Sequence, residues 1–168
     1  MKAYTNVNLV TCDSAGELPE PIALSWPQDA ASLDAMEALL VTFPEPLTVT
    51  DNHDLGRYGT LGLASERRFR PTHSAAQAAP SPAPLLLDDG SYRTNPDPVP
   101  YLNEQGTRRV GSTLDGLTGV LTHAFGDYRL HPTQAVTFTD SNPRPGPLEA
   151  PGDALRVATF NVENYFIT

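Results

Sequence analysis

Apolar and polar positions alternate most regularly in residues 111–133, GSTLDGLTGVLTHAFGDYRLHPT, on both sides of Gly126-Asp127. A period of two marks strands with one buried face. Glycine at the first central position of a two-residue loop suits a type II′ hairpin turn. On that turn Phe125 faces Tyr128 and His123 faces Leu130. Leu117, Leu121, Phe125, Tyr128 and Leu130 then share an apolar side. Thr118, Val120, Thr122, Arg129 and His131 share the other. Gly116 and Gly119 inside the first strand predict a bulge or a sharp bend.

The same pattern reads the rest of the chain. Residues 4–12 alternate loosely and predict a strand. Residues 16–27, broken by Pro19, Pro21 and Pro27, predict extended chain with Ile22, Leu24 and Trp26 on one side. Leu33, Met36 and Leu40 have helical spacing, so residues 32–40 predict the one helix, with Ser32 as its cap and Asp34 in its first turn. Residues 39–43 and 47–51 predict a strand pair interrupted by Pro44-Glu45-Pro46. Residues 52–56 read as a polar loop. Further strands are expected at 58–65, 67–70, 85–88 and 136–139.

Composition sharpens this picture. Seventeen prolines and twelve glycines in 168 residues favour short strands and loops over a helical bundle. Residues 74–84, SAAQAAPSPAP, read as a flexible excursion. Residues 95–100, NPDPVP, are limited to loop or extended chain. Residues 142–152 carry four prolines and two glycines and read as a linker. Beyond them 155–162, LRVATFNV, is nearly continuous in apolar residues, the texture of a strand buried on both faces in an α/β layer structure. The expected class is therefore mainly β: a small antiparallel barrel with long proline-rich loops, one short helix and an orphan strand from an α/β sandwich. The expected limits are a partial β segment at 1–31, the barrel at 32–141, a linker at 142–154 and the start of a further domain at 155–168.

A formal net charge of −9 disfavours tight nonspecific binding to nucleic acid, which rests on counterion release by basic side chains. It favours solubility. The single cysteine, Cys12, rules out an intrachain disulfide and a cysteine zinc cluster. No apolar run approaches a membrane span. Residues 1–10 lack the basic start and apolar centre of a secretory signal.

Candidate chemistry is sparse. Asp51-Asn52-His53-Asp54 and Asp88-Asp89-Gly90 group oxygen ligands that a cation would accept, but both read first as turns. His123 and His131 fall on opposite strand faces, which separates them as metal ligands. The basic residues Arg57, Arg67, Arg68, Arg70, Arg93, Arg108, Arg109 and Arg129 are interleaved with Tyr58, Phe69, Tyr92, Tyr101 and Tyr128. Arginine beside aromatic faces is what single-strand binders use, and Arg57, Tyr58, Tyr128 and Arg129 are the candidate nucleic-acid contacts. Against this, twenty acidic residues oppose phosphate, and aromatics in small barrels commonly fill the core.

LRVATFNVENYF, residues 155–166, resembles the first strand of the endonuclease/exonuclease/phosphatase superfamily, the DNase-I-like nucleases, through Phe160-Asn161-Val162. Upstream, LLVTFPEPLTVTDNHDLGRYGTLGLAS, RPTH at 70–73, LLLDDGS at 85–91, NPDPVPYL at 95–102 and TGVLTHAFGDYRLHPT at 118–133 resemble the β-rich region before the catalytic domain of large extracellular bacterial nucleases. The likeness covers roughly residues 8–166. It implies an OB-like barrel, an extracellular location, and hydrolysis of DNA or RNA phosphodiesters with Mg²⁺ or another divalent metal by a catalytic domain in cis. Asn161 is the one position that inherits a catalytic role, binding phosphate or orienting metal-bound water. The family's metal-binding glutamate and its later histidine and aspartate positions have no match here. The expectation is therefore a fragment with no cofactor of its own, inactive alone, that helps to hold DNA or RNA. The alternative is a structural spacer packed on the nuclease domain without touching nucleic acid.

Overall fold

The computed structural model describes residues 19–67 and 84–143, with isolated positions at 145–147, 149, 152, 157 and 159. The strand expected at 4–12, Arg68 and Arg70, and almost all of the 74–84 excursion lie outside the described residues. So does Asn161. Within the strand expected at 155–162, Val157 and Thr159 are described; both are exposed and neither is in a strand.

The described chain is mainly β, a single nine-stranded sheet curled into a half-barrel, with two short helices. Its strands are β1 (Ile22–Ala23), β2 (Leu40–Phe43), β3 (Leu47–Asp51), β4 (Thr60–Ala64), β5 (Leu85–Asp88), β6 (Thr113–Leu114), β7 (Leu117–Ala124), β8 (Asp127–Pro132) and β9 (Phe138–Thr139). The helices are α1 (Ala30–Ala35) and α2 (Leu55–Tyr58). The sheet order is β1-β2-β7-β8-β5-β4-β3-β6-β9. β5 pairs with β8 in parallel, as β1 does with β2; the other pairs are antiparallel.

Connectivity explains the curl. β2 and β3 stand at opposite ends of the run β2-β7-β8-β5-β4-β3, yet only Pro44-Glu45-Pro46 separates them. From Phe43 to Leu47 the chain reaches at most about 14 Å. Five gaps between flat strands would need about 24 Å. The sheet must bend round to bring its ends together. Two prolines, which cannot donate to a ladder, mark where one strand divides into two.

The concave side is apolar. Val41, Phe43, Val49, Leu61, Leu87 and Leu121 have no more than 1% of their surface exposed. β4 is buried along its whole length, as befits a strand between β3 and β5. Trp26 closes one end, its ring edge-on to Phe43 at 6.3 Å, and Leu33 of α1 packs into the same core.

Several expectations are corrected in detail. The helix begins at Ala30, not Ser32, because Asp29 is its cap and its carboxylate accepts from the Ser32 amide at 3.0 Å. Leu40 belongs to β2. Residues 55–58 form a helical turn before β4, ended by Gly59 at φ +69. The hairpin loop is Phe125-Gly126, not Gly126-Asp127: Ala124 pairs with Asp127 and His123 with Tyr128. Both loop residues have positive φ, +57 and +90, which is the type I′ pattern. Gly119 is not a bulge. It pairs regularly with Pro132, and its missing side chain admits the backbone of β8. Gly116, at φ +62, lies before β7. The irregularity lies in β3, between Val49 and Asp51.

Candidate functional site

Three loops remote in sequence meet at one rim of the sheet. The α2 turn brings Arg57 and Tyr58. The loop after β5 brings Tyr92 and Arg93. The β7–β8 turn brings Phe125, with Arg129 two pairs down the hairpin. Tyr58, Tyr92, Arg93, Phe125 and Arg129 line a groove of about 420 Å³. Its rings are open to solvent: Tyr58 is 41% exposed, Phe125 72% and Tyr92 85%. Exposed rings gathered round one groove are the informative departure, since single exposed apolar residues need no explanation.

Loop geometry holds these rings in place. Asp88 accepts from the Gly90 amide at 2.8 Å and Asp89 from the Ser91 amide at 2.9 Å, so the turn after β5 is fixed by two successive aspartates. Gly59 is required beside it. A Cβ there would lie 2.6 Å from the Asp89 carboxylate, so α2 and this turn interlock. The Asn95 amide donates to the Arg57 carbonyl at 2.8 Å and ties the far end of the same loop to α2.

The cations divide into two kinds. Arg129 is committed: its Nη1 meets Asp88 Oδ2 at 2.6 Å, and the two side chains are 15% and 10% exposed. Its guanidinium lies 5.3 Å from the Phe125 ring, so it carries the ring as much as it faces the groove. Arg57 lies over the Tyr58 ring at 5.1 Å. Neither Arg57 nor Arg93 forms an ion pair among the described residues. Asp54 and Asp127 also border the groove and offset part of the positive charge.

Of the four contacts expected from sequence, Tyr58 and Arg129 line the groove, Arg57 lies over the Tyr58 ring without lining it, and Tyr128 is elsewhere. Tyr128 alternates to the other face of β8. There its ring packs on His123 at 4.7 Å and its hydroxyl donates to Asp34 of α1. That hydrogen bond raises the Tyr128 hydroxyl to about 12. Tyr92, Arg93 and Phe125 complete the groove. Tyr92 and Arg93 are among the basic and aromatic candidates of the sequence; Phe125, expected on the apolar face, is exposed because the turn is displaced by one residue.

Arg108 is part of the scaffold, not of the groove. Only 5% of its side chain is exposed. It meets Asp140 at 2.5 Å, donates to the Tyr101 carbonyl at 2.8 Å and lies 4.0 Å from the Phe138 ring. Burial lowers its affinity for the proton and the Asp140 charge opposes that. Asn103 and Ser112 also donate to Asp140, so this cluster pins the 101–112 loop to the end of β9.

The two acidic motifs are turns. Asp51 accepts from the His53 amide at 2.9 Å, and Asp88 is occupied as above. His123 and His131 lie on opposite faces of the hairpin, opposite Tyr128 and Val120 respectively. Among the described residues no three His, Cys, Asp or Glu side chains are grouped as a metal would need. Comparison with family models, curated proteins and solved structures returns no match.

Proposed function

We propose that this chain is an OB-like barrel module of a secreted bacterial nuclease and that the groove between Tyr58, Tyr92 and Phe125 holds nucleic acid for a catalytic domain in cis. The barrel reading draws on connectivity. With β2 and β3 taken as halves of one bent strand, β2/β3-β4-β5-β8-β7 forms a circuit of five strands, the number of an OB barrel. The nuclease reading draws on the resemblance described above. In this reading phosphodiester hydrolysis belongs to the catalytic domain, where a divalent metal would act, and the module supplies grip.

One observation carries the binding role: three solvent-open rings surround one groove, with Arg93 on its lining and Arg57 over the Tyr58 ring. Each base that stacks on such a ring contributes about 1–3 kcal/mol. Fluorescence anisotropy of a labelled single strand tests it. Binding should weaken steeply with salt, and Tyr92→Ala should weaken it about tenfold or more by the same stacking energy. No rise in anisotropy at low salt would overturn it.

A spacer packed on the nuclease domain is favoured by one specific observation, the presence of Asp54 and Asp127 on the groove border in a chain of net charge −9. The same titration separates the two readings, because a spacer leaves the labelled strand free at every salt concentration.

A further inference from the structure

The groove does not end at Phe125. A second cavity of about 220 Å³ adjoins it, and Ser91, Tyr92, Phe125 and Arg129 line both. The second cavity runs on to His131, whose side chain is 40% exposed. We infer that this extension is a phosphate subsite for the same nucleic-acid strand, switched on by protonation of His131. The inference rests on the reading that the first groove holds nucleic acid.

The charges facing His131 can be enumerated. On β5, Asp88 Oδ1 lies 3.7 Å from His131 Nε2. On β8, Arg129 shares that carboxylate at 2.6 Å. From β7 the opposite residue is Val120, which is uncharged, and the same cavity is bordered by His123, Thr122 and Tyr92. With His131 neutral, Arg129 and Asp88 cancel. With His131 protonated, the trio carries a net charge of about +1 and an exposed imidazolium at the end of a continuous groove. Asp88 offsets only part of that charge. It already takes the Arg129 guanidinium and the Gly90 amide, while the imidazole stands beyond direct hydrogen-bond distance. The subsite would be filled with the imidazole protonated and released with it neutral.

The probe is a 5′-labelled oligothymidylate series titrated by anisotropy at pH 5.5 and pH 7.5 over a range of salt. The wild-type chain should bind about two- to fivefold more tightly at pH 5.5, the size of one exposed ionic contact. Its salt slope should steepen by about 0.7, the value for one additional single-strand phosphate. His131→Gln should abolish both changes and His53→Gln neither. His131→Lys should give the acidic slope at both pH values, which separates lost charge from lost fold. Binding that is equal at the two pH values, or a pH effect that survives in His131→Gln, overturns the subsite while leaving the groove reading intact. No binding at either pH overturns both.

Discussion

Asp88 and Arg129 face each other across the parallel pair β5–β8, carboxylate oxygen to guanidinium nitrogen 2.6 Å apart, both largely buried. The parallel pairing sets Leu86 opposite Arg129 and Leu87 opposite Leu130, which brings Asp88 and the arginine within reach on the outer face. The pair does two jobs. It closes the junction between the two halves of the sheet, and it seats the side chain that lies against Phe125.

Breaking that pair from one side should cost more than removing it whole. Asp88→Ala leaves a buried guanidinium and the Gly90 amide without their acceptor, and should lower stability by about 3 kcal/mol. Arg129→Met should be milder, since its replacement fills the same space. The double variant Asp88→Leu/Arg129→Met should be more stable than Asp88→Ala. Urea unfolding followed by the fluorescence of Trp26, 6% exposed in the core, measures all three.

Gly119 should tolerate no side chain. A Cβ there falls inside the carbonyl of His131, 2.8 Å from its carbon and 2.9 Å from Pro132 Cα. The obstacle is backbone, which cannot swing away, so Gly119→Ala should destabilise by about 2 kcal/mol or more through forced displacement of β8. Gly116→Ala is the contrast. Nothing lies within 4 Å of the added carbon, and the cost is that of a left-handed conformation, about 1–2 kcal/mol. The same unfolding measurement ranks the two.

These residues also show what could be read from the chain. Strands β3 and β5 are bounded by prolines, acidic turns and loop signals, and 47–51 and 85–88 are found where expected. In the hairpin the sequence pattern sets the turn one residue late, which shifts each cross-strand partner by two. Because side chains alternate with period two, Leu121 and Leu130 still fall inward and Thr122 and Arg129 outward. Phe125 leaves the strand for the turn, and Asp127 leaves the turn for β8. The cap at Asp29 was hidden by the equally suitable Ser32 three residues on; the hydroxyl donates to the aspartate and does not cap. The groove was beyond local pattern. Tyr58, Tyr92 and Phe125 come from three loops, and only the pairing of β4 with β5 and of β5 with β8 puts them together.

Acid should loosen the contacts that Asp140 makes beyond the end of β9. The Asp140 carboxyl is held below its ordinary 3.8, first by the Asn103 hydrogen bond, then by Ser112 and Arg108. A carboxyl depressed on folding stabilises at pH above its unfolded value, and that contribution is lost as pH falls through the folded one. Stability should therefore decline below about pH 4. Asp140→Asn should be less stable than wild type at pH 7, and the gap should narrow below pH 4. Thermal melts at pH 3, 5 and 7 give the comparison.

The alkaline limb has the opposite sign. The Tyr128 hydroxyl is raised to about 12 by its bond to Asp34, and burial beside Asp89 and Asp88 raises Tyr101 further. A phenol raised on folding stabilises fully below about pH 10 and loses that contribution as pH climbs to the folded value. Absorbance at the phenolate band should show two tyrosines ionising late. Tyr128→Phe should remove one of them and loosen α1 from the hairpin.

Phe125 sets stability against function. A bulky aromatic at φ +57 is an outlier, since that region favours glycine and asparagine. The ring gains little in return from the core: it is 72% exposed, with Arg129 5.3 Å away. Type I′ turns favour Asn-Gly, and here Gly126 already occupies the second place. Phe125→Asn should therefore stabilise the chain by about 0.5–1 kcal/mol, relieving backbone strain without disturbing a buried side chain. The same change removes one of the three rings around the groove. If that ring stacks on a base, Phe125→Asn should raise the urea midpoint and weaken single-strand binding together, by about 1–3 kcal/mol for the latter. Phe125→Trp should keep the strain and the binding. A variant that becomes more stable with unchanged affinity would show the left-handed phenylalanine to be irrelevant to the strand, and the groove would have to hold nucleic acid through Tyr58 and Tyr92 alone.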